Sequence, residues 1–172
     1  MVYSKDVVTK VLGTSFLMST NGSINRTEVA VKTGKVAVSP VCGRLDVVES
    51  ILGRRNEVIL TPNQKTVFKV NDQTFEQSLV ANPEPLQMST KTEVNDLFSF
   101  NDAPLAEVVA MLERTYGIKF LIADQTLLED TFTGDLTEQN LYSKLGFLCA
   151  AIKASYEISG TTIVIKSKNS GH

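Results

Sequence analysis

The chain has 172 residues, of which 42% are hydrophobic and 21% charged, and its formal net charge at pH 7 is −2. These values are ordinary for a globular protein with a buried core, and the length suits one large domain or two small ones. The nearly balanced charge disfavours a nucleic-acid surface, which needs clustered Lys and Arg to neutralise phosphates. No apolar run approaches the roughly 20 residues that a membrane-spanning helix needs, and the chain start shows no secretory leader.

The first half of the chain alternates apolar and polar residues over short stretches, as β-strands do. A hairpin is predicted over residues 28–39 with its turn at Thr33-Gly34, because glycine supplies the positive φ of a tight turn. Residues 57–60 and 66–70 are further predicted strands. The pairs expected across the hairpin are Val31 with Val36, Ala30 with Ala37, and Val29 with Val38.

Two prolines, Pro83 and Pro85, interrupt this pattern and are followed by a mostly polar stretch. Proline fixes φ and removes a backbone donor, so a linker is predicted over 83–95. The expected organisation is an all-β domain at 1–82 and an α+β domain at 96–168.

In the second domain the pattern changes to alternating strand and helix. The first helix is predicted to begin at residues 101–104, with Asn101 or Asp102 as its cap, and to end at Gly117. Thr137 is the predicted cap of the second helix. The expected order is strand, helix, strand, strand, helix, strand, strand, with two βα units on one small sheet. The predicted buried helix faces are Leu105, Val108, Val109, Leu112 and Tyr116, and Leu141, Leu145, Leu148, Cys149 and Ile152.

Residues suited to catalysis or metal binding are few. The single histidine is His172 at the chain end, so Cys42 lacks an imidazole base. Cys42 and Cys149 read as two independent thiols more readily than as a disulfide. There is no glycine-rich phosphate loop and no Cys/His cluster. The sequence therefore predicts neither an enzyme nor a cofactor or metal site.

Short motifs in a fixed order carry a family resemblance over residues 8–166. The chain is similar to the periplasmic region of a FecR-type anti-sigma regulator of the Bacteroidota type, a FecR domain followed by a second domain. That second domain resembles the short N-terminal signalling domain of secretins and TonB-dependent receptors. The motifs are Leu-Gly-Thr-Ser-Phe at 12–16, Leu-Thr-Pro-Asn-Gln at 60–64, Pro-Leu at 104–105, Tyr-Gly at 116–117 and Phe-Thr-Gly at 132–134.

The resemblance implies a first domain built as a solenoid- or sandwich-like stack of hairpins. It also implies a receiver that relays the signal of a TonB-dependent outer-membrane receptor, in iron or glycan uptake, to an extracytoplasmic-function sigma factor. The transmembrane helix and the cytoplasmic sigma-binding segment would lie outside this chain. The implied location is the periplasm, with the full-length protein anchored in the inner membrane.

The last strand is the candidate partner-binding element, because a partner can add a strand to an exposed sheet edge. Its residues are Thr161, Ile163, Val164, Ile165 and Lys166. The alternative is a solvent-protected strand that Lys166 and Lys168 guard against aggregation. Two other functions stay open, an envelope carbohydrate- or cell-wall-binding domain and a secretin-like assembly module. The absence of Trp and the presence of only four Tyr disfavour a sugar platform.

Overall fold

The computed structural model describes residues 1–11, 13–41, 57–86 and 98–168. The chain divides into two compact units, Met1–Val80 and Ala81–His172. Within the described ranges there are thirteen strands and two α-helices, which agrees with the predicted α+β class. The predicted domain ranges 1–82 and 96–168 remain predictions.

The N-terminal unit contains two four-stranded antiparallel sheets in its described part. The first sheet has the order β1-β2-β5-β6 and the second has the order β3-β4-β7-β8. A 3-10 turn at Gly22–Ile24 joins β3 to β4. The strands are β1 (Val2–Tyr3), β2 (Val7–Val11), β3 (Ser15–Asn21), β4 (Arg26–Thr33), β5 (Val36–Pro40), β6 (Val58–Leu60), β7 (Gln64–Lys69) and β8 (Thr74–Leu79).

Both sheets of this unit contribute to one buried cluster. Side chains along a strand point alternately to its two faces, so every second residue of a strand can enter the same core. Phe75 adds a tilted ring contact to Phe68, with 4.8 Å between ring centroids. The buried members are Val7, Val36, Val38 and Leu60 from the first sheet, and Val29, Val31 and Phe68 from the second.

The predicted hairpin over residues 28–39 is wrong. Strand β4 pairs with β3 and β7, whereas β5 pairs with β2 and β6, so the turn at Gly34 leads from one sheet to the other. The alternation of apolar residues fits a hairpin and also fits two strands in different sheets. In the second arrangement the valines of β4 and β5 still pack in one core. Gly34 has φ 79°, and a Cβ there would collide with Cγ2 of Thr14. The strands predicted near 57–60 and 66–70 are present as β6 and β7.

The C-terminal unit follows the predicted order of strands and helices. Its strands nevertheless form two sheets, the antiparallel pair β11-β9 and the three-stranded sheet β10-β13-β12, so the single sheet of the prediction is wrong. The elements are β9 (Ser99–Pro104), α1 (Leu105–Tyr116), β10 (Lys119–Ile122), β11 (Thr131–Asp135), α2 (Leu141–Ala151), β12 (Ala154–Ser159) and β13 (Thr162–Ser167).

The helix ends differ in part from the prediction. Strand β9 extends to Pro104, and α1 begins without a side-chain cap. Asp102 instead accepts a hydrogen bond from Thr131 Oγ1 at 2.7 Å. The cap of α2 is Asn140, whose Oδ1 accepts from the Ser143 backbone N–H at 2.9 Å, and not Thr137. Gly117 ends α1 as predicted, with φ 65° and a hydrogen bond from its N–H to the Glu113 carbonyl.

The two predicted apolar helix faces are confirmed, since all ten of their residues are buried. The described part of the predicted linker contacts the first helix. The Leu86 backbone N–H donates to the Thr115 carbonyl at 2.7 Å, and Pro83 is buried. Residues 81–86 are therefore attached to the C-terminal unit. Neither described helix is both long enough and apolar enough to cross a bilayer.

Candidate partner-binding sheet of the C-terminal unit

Strand β13 occupies the centre of its sheet, so the predicted edge position is wrong. It pairs in parallel with β10 and antiparallel with β12. The hairpin of β12 and β13 can be predicted from residues that are neighbours in the sequence. The pairing of β13 with β10 cannot, because the two segments are far apart in the chain. An added strand cannot reach the backbone of β13, and a partner-binding role for its side chains stays a prediction. Of the five predicted residues, Thr161 lies in the turn, Ile163 and Ile165 are fully buried, Val164 is half-buried, and Lys166 binds Glu157 at 2.6 Å.

Strand β12 forms one edge of this sheet. Ser159 pairs with Thr162 across a two-residue turn, and Gly160 supplies its positive φ of 60°. Antiparallel pairs alternate between hydrogen-bonded and non-bonded residues, so every second residue of β12 points its N–H and C=O away from β13. These residues are Ala154, Tyr156 and Ile158. Within the described ranges their outward backbone groups have no hydrogen-bond partner.

The opposite edge, strand β10, is partly blocked. The Ala123 N–H donates to the Ile165 carbonyl, so the alternate residues Phe120 and Ile122 direct their backbone groups outward. The Phe120 N–H donates to Oε1 of Glu113, on helix α1, at 2.7 Å. A carboxylate thus occupies the donor that an incoming strand would need. Natural sheets often protect their edges in this manner, with side chains that cover the free backbone.

The side chains beside the β12 edge are largely apolar. Ile158 is 46% exposed and Tyr156 is half-buried. Helix α2 packs against β12, and its solvent-facing residues carry no charge. Phe147 is the largest of them, at 57% exposure. The others are Gly146, Ala150 and Ala151. An exposed helix face normally carries polar residues, so the uncharged outer face of α2 is unusual.

Two lysines lie at the Ala154 end of β12. The Lys168 N–H donates to the Lys153 carbonyl at 3.1 Å, which brings the two residues together, and both side chains are exposed. In the described parts of the chain no carboxylate lies within ion-pair distance of either ammonium group. Farther along the strand, Glu157 is already paired with Lys166. The Ala154 end of the edge is therefore electropositive.

Lys144, near the start of α2, is buried, and the sequence analysis did not predict this. Lys144 is 1% exposed, and its Nζ donates to the carbonyls of Leu136 and Thr137, the latter at 3.2 Å. The same Nζ lies 4.0 Å from the centroid of the Phe98 ring. Burial lowers the pKa of Lys144, and the nearby Asp135 carboxylate opposes that shift. Its position could have been predicted, because residue 144 falls three after Leu141 on the apolar face.

The described residues contain no group of three or more His, Cys, Asp or Glu that could hold a metal ion. Burial raises the pKa of the Cys149 thiol to about 11, so it is protonated at neutral pH and a poor nucleophile. The predicted free thiol at this position is confirmed. Cys42 and His172 lie outside the described residues.

Residues 97–165, which lie within the C-terminal unit, match the family model FecR, C-terminal. The C-terminal unit is therefore similar to the FecR C-terminal family, which agrees with the resemblance predicted from the ordered motifs.

No curated protein matches the chain. Two crystal structures of a proposed anti-sigma factor from Parabacteroides distasonis, at 1.65 and 2.50 Å resolution, are similar to it. Each is 19% identical, with 96% of this chain and 69% of that chain covered, and the TM-score is 0.41.

Proposed function

We propose that this chain is the periplasmic signal-receiving region of a membrane-anchored FecR-type regulator. The observation that carries the proposal is the match of residues 97–165 to the FecR C-terminal family. The edge of β12, which has no neighbouring strand among the described residues, supports it, because such an edge suits contact with another protein.

The partner in this proposal is the signalling domain of a TonB-dependent outer-membrane receptor. When the receptor takes up its cargo, a ferric siderophore or a glycan, that domain binds the C-terminal unit. The contact changes the state of the regulator and releases an extracytoplasmic-function sigma factor held by a cytoplasmic segment. The resemblance of the C-terminal unit to the short signalling domain of such receptors belongs to this proposal.

The relay requires a binding free energy that favours one state of the regulator, since a ligand shifts an equilibrium only by its differential affinity. The receiver therefore needs a surface that the signalling domain covers. Catalytic chemistry has no part in this scheme, and the buried, protonated Cys149 fits a packing role.

Calorimetric titration of the purified chain tests the proposal. The ligands are the purified signalling domains of the TonB-dependent receptors of the same organism, and the control is the signalling domain of a receptor from an unrelated organism. We expect saturable one-to-one binding of at least one of these ligands and none of the control. Absence of binding up to about 1 mM, which corresponds to a free energy weaker than about −4 kcal/mol, would refute the proposed relay.

A further inference from the structure

We infer that β12 is the docking strand of the C-terminal unit, and that it accepts an extended partner segment with an acidic residue opposite Lys153 and Lys168. This inference rests on the proposed function, because the occupant is taken to be a segment of the receptor's signalling domain. It moves the docking position from β13, which is central, to the neighbouring edge.

The backbone of β12 supplies the first part of the argument. Tyr156 and Ile158 direct two N–H groups and two carbonyls away from β13, and these groups have no partner among the described residues. Ala154 also faces outward, but it is buried and does not take part. An extended segment can bond to them without disturbing the existing ladder. The edge of β10 is a poorer acceptor of a strand because Glu113 occupies the Phe120 N–H.

The side chains define what the segment must present. Ile158 and Tyr156 lie in the same row as the buried Ile163 and Ile165 of β13, on the inner face of the sheet. A partner residue placed beside Ile158 extends that row and should therefore be apolar.

The positive charge at the Ala154 end of β12 favours a partner with an acidic residue and disfavours a second copy of this chain. Lys153 and Lys168 place two ammonium groups at the Ala154 end, with no carboxylate within ion-pair distance in the described residues. A second β12 strand could offer only Glu157, which is already bound to Lys166. A partner segment with an acidic residue at this end satisfies the charge, and electrostatic complementarity of this kind fixes register and accelerates association.

The test compares Ile158→Pro with Ile158→Ala in titrations with the receptor signalling domain. Proline removes the outward N–H of residue 158, which makes no bond to β13, and prolines are tolerated at sheet edges in such positions. Alanine removes the same side chain and keeps the N–H. We expect the dissociation constant to rise at least about tenfold for proline and only a few-fold for alanine, since one added backbone bond is lost in the first variant alone.

Charge reversal is the second arm of the same experiment. The double variant Lys153→Glu/Lys168→Glu should weaken binding about tenfold at low salt, and the difference from wild type should shrink as salt screens the contact. The matched control is Lys119→Glu, which reverses one exposed charge on the opposite edge strand, β10, and should bind as wild type.

The outcomes separate this inference from the proposed function. If wild type binds and Ile158→Pro binds equally well, the docking strand is wrong and the relay stands. If wild type does not bind, both fall. A dimer in light scattering that Ile158→Pro abolishes would assign the edge to a second copy and overturn the inference. Should the proline variant fail to fold, amide exchange of the wild-type chain decides, because docking requires the amides of Tyr156 and Ile158 to gain at least about tenfold protection on binding.

Discussion

Replacing Lys144 with methionine would remove an ammonium group from the interior while keeping most of the side-chain volume. In wild type that group bonds to the Leu136 and Thr137 carbonyls and lies 4.0 Å from the Phe98 ring centroid. The three contacts connect the segment before α2 to the residue that precedes β9. We expect the variant to loosen both segments and to lower the stability of the C-terminal unit.

The magnitude follows from opposing contributions. Losing two hydrogen bonds from a charged donor costs about 1.5–3 kcal/mol each, and the lost cation–π contact adds about 0.5–2 kcal/mol. Removing a buried charge returns several kcal/mol of desolvation. A net loss of about 2 kcal/mol is expected, which corresponds to about 10 °C in the melting temperature of a unit of this size.

The pH dependence has a definite sign. Burial lowers the pKa of Lys144 below its ordinary 10.5, so the folded unit binds fewer protons than the unfolded chain in the window between the two values. Wild-type stability therefore gains a contribution as pH rises through that window, and the methionine variant lacks it. The stability difference between the two proteins should widen toward pH 10.5.

Urea unfolding followed by hydrogen exchange of residues 98–168 measures the effect on this unit alone. The control is Lys119→Met, which removes one exposed charge from the same unit and should change stability by less than about 0.5 kcal/mol. A methionine variant as stable as wild type would refute the reasoning, because it would mean that desolvation of the ammonium outweighs all three contacts.

Gly34→Ala should destabilise the N-terminal unit by about 2–3 kcal/mol, measured by urea unfolding, because it adds left-handed strain to a collision with Thr14. Adding Thr14→Ser should recover only the part due to the collision, and full recovery would show that the backbone is not strained. Burial raises the pKa of Cys149 from 9.0 to about 11, so the stability that the protonated thiol provides is present below pH 9 and lost as pH rises toward 11. Comparison of unfolding midpoints across that range should show a decline of at most about 3 kcal/mol that is absent in Cys149→Ala, whereas equal declines in both proteins would assign the change to another group.

Local signals predicted the helices well. Apolar residues recur at helical spacing between Leu105 and Tyr116, and Gly117 adopts the left-handed conformation that ends α1. The periodicity and the glycine therefore predict the same helix end. The cap of α2 could not be chosen from sequence with the same certainty. Thr137 and Asn140 can both accept from a backbone N–H, and only the path of the preceding chain decides for Asn140.

Strand pairing between segments far apart in the chain could not be predicted from the local sequence pattern. The valines of β4 and β5 alternate as a hairpin would require, yet after Gly34 the chain enters a second sheet. Valines of both strands still pack in one buried cluster. The edge position predicted for β13 was wrong for the same reason. Thr162–Ser167 ends the described chain and so resembles an edge, whereas its pairing with Lys119–Ile122 makes it central. Lys144 was missed for a different reason: lysine is a polar residue type, yet here it lies on the buried apolar face of α2.

The central position of β13 has a consequence for how the C-terminal unit folds. Both β10 and β12 depend on a strand that follows every other described strand in the chain, so this sheet cannot close until residue 167 is free to fold. A polypeptide delivered across a membrane from its N-terminal end would complete the first unit while the second still lacked its middle strand. Cleavage before Thr162 would remove the strand that joins β10 to β12, so the sheet and the free edge of β12 would be lost together.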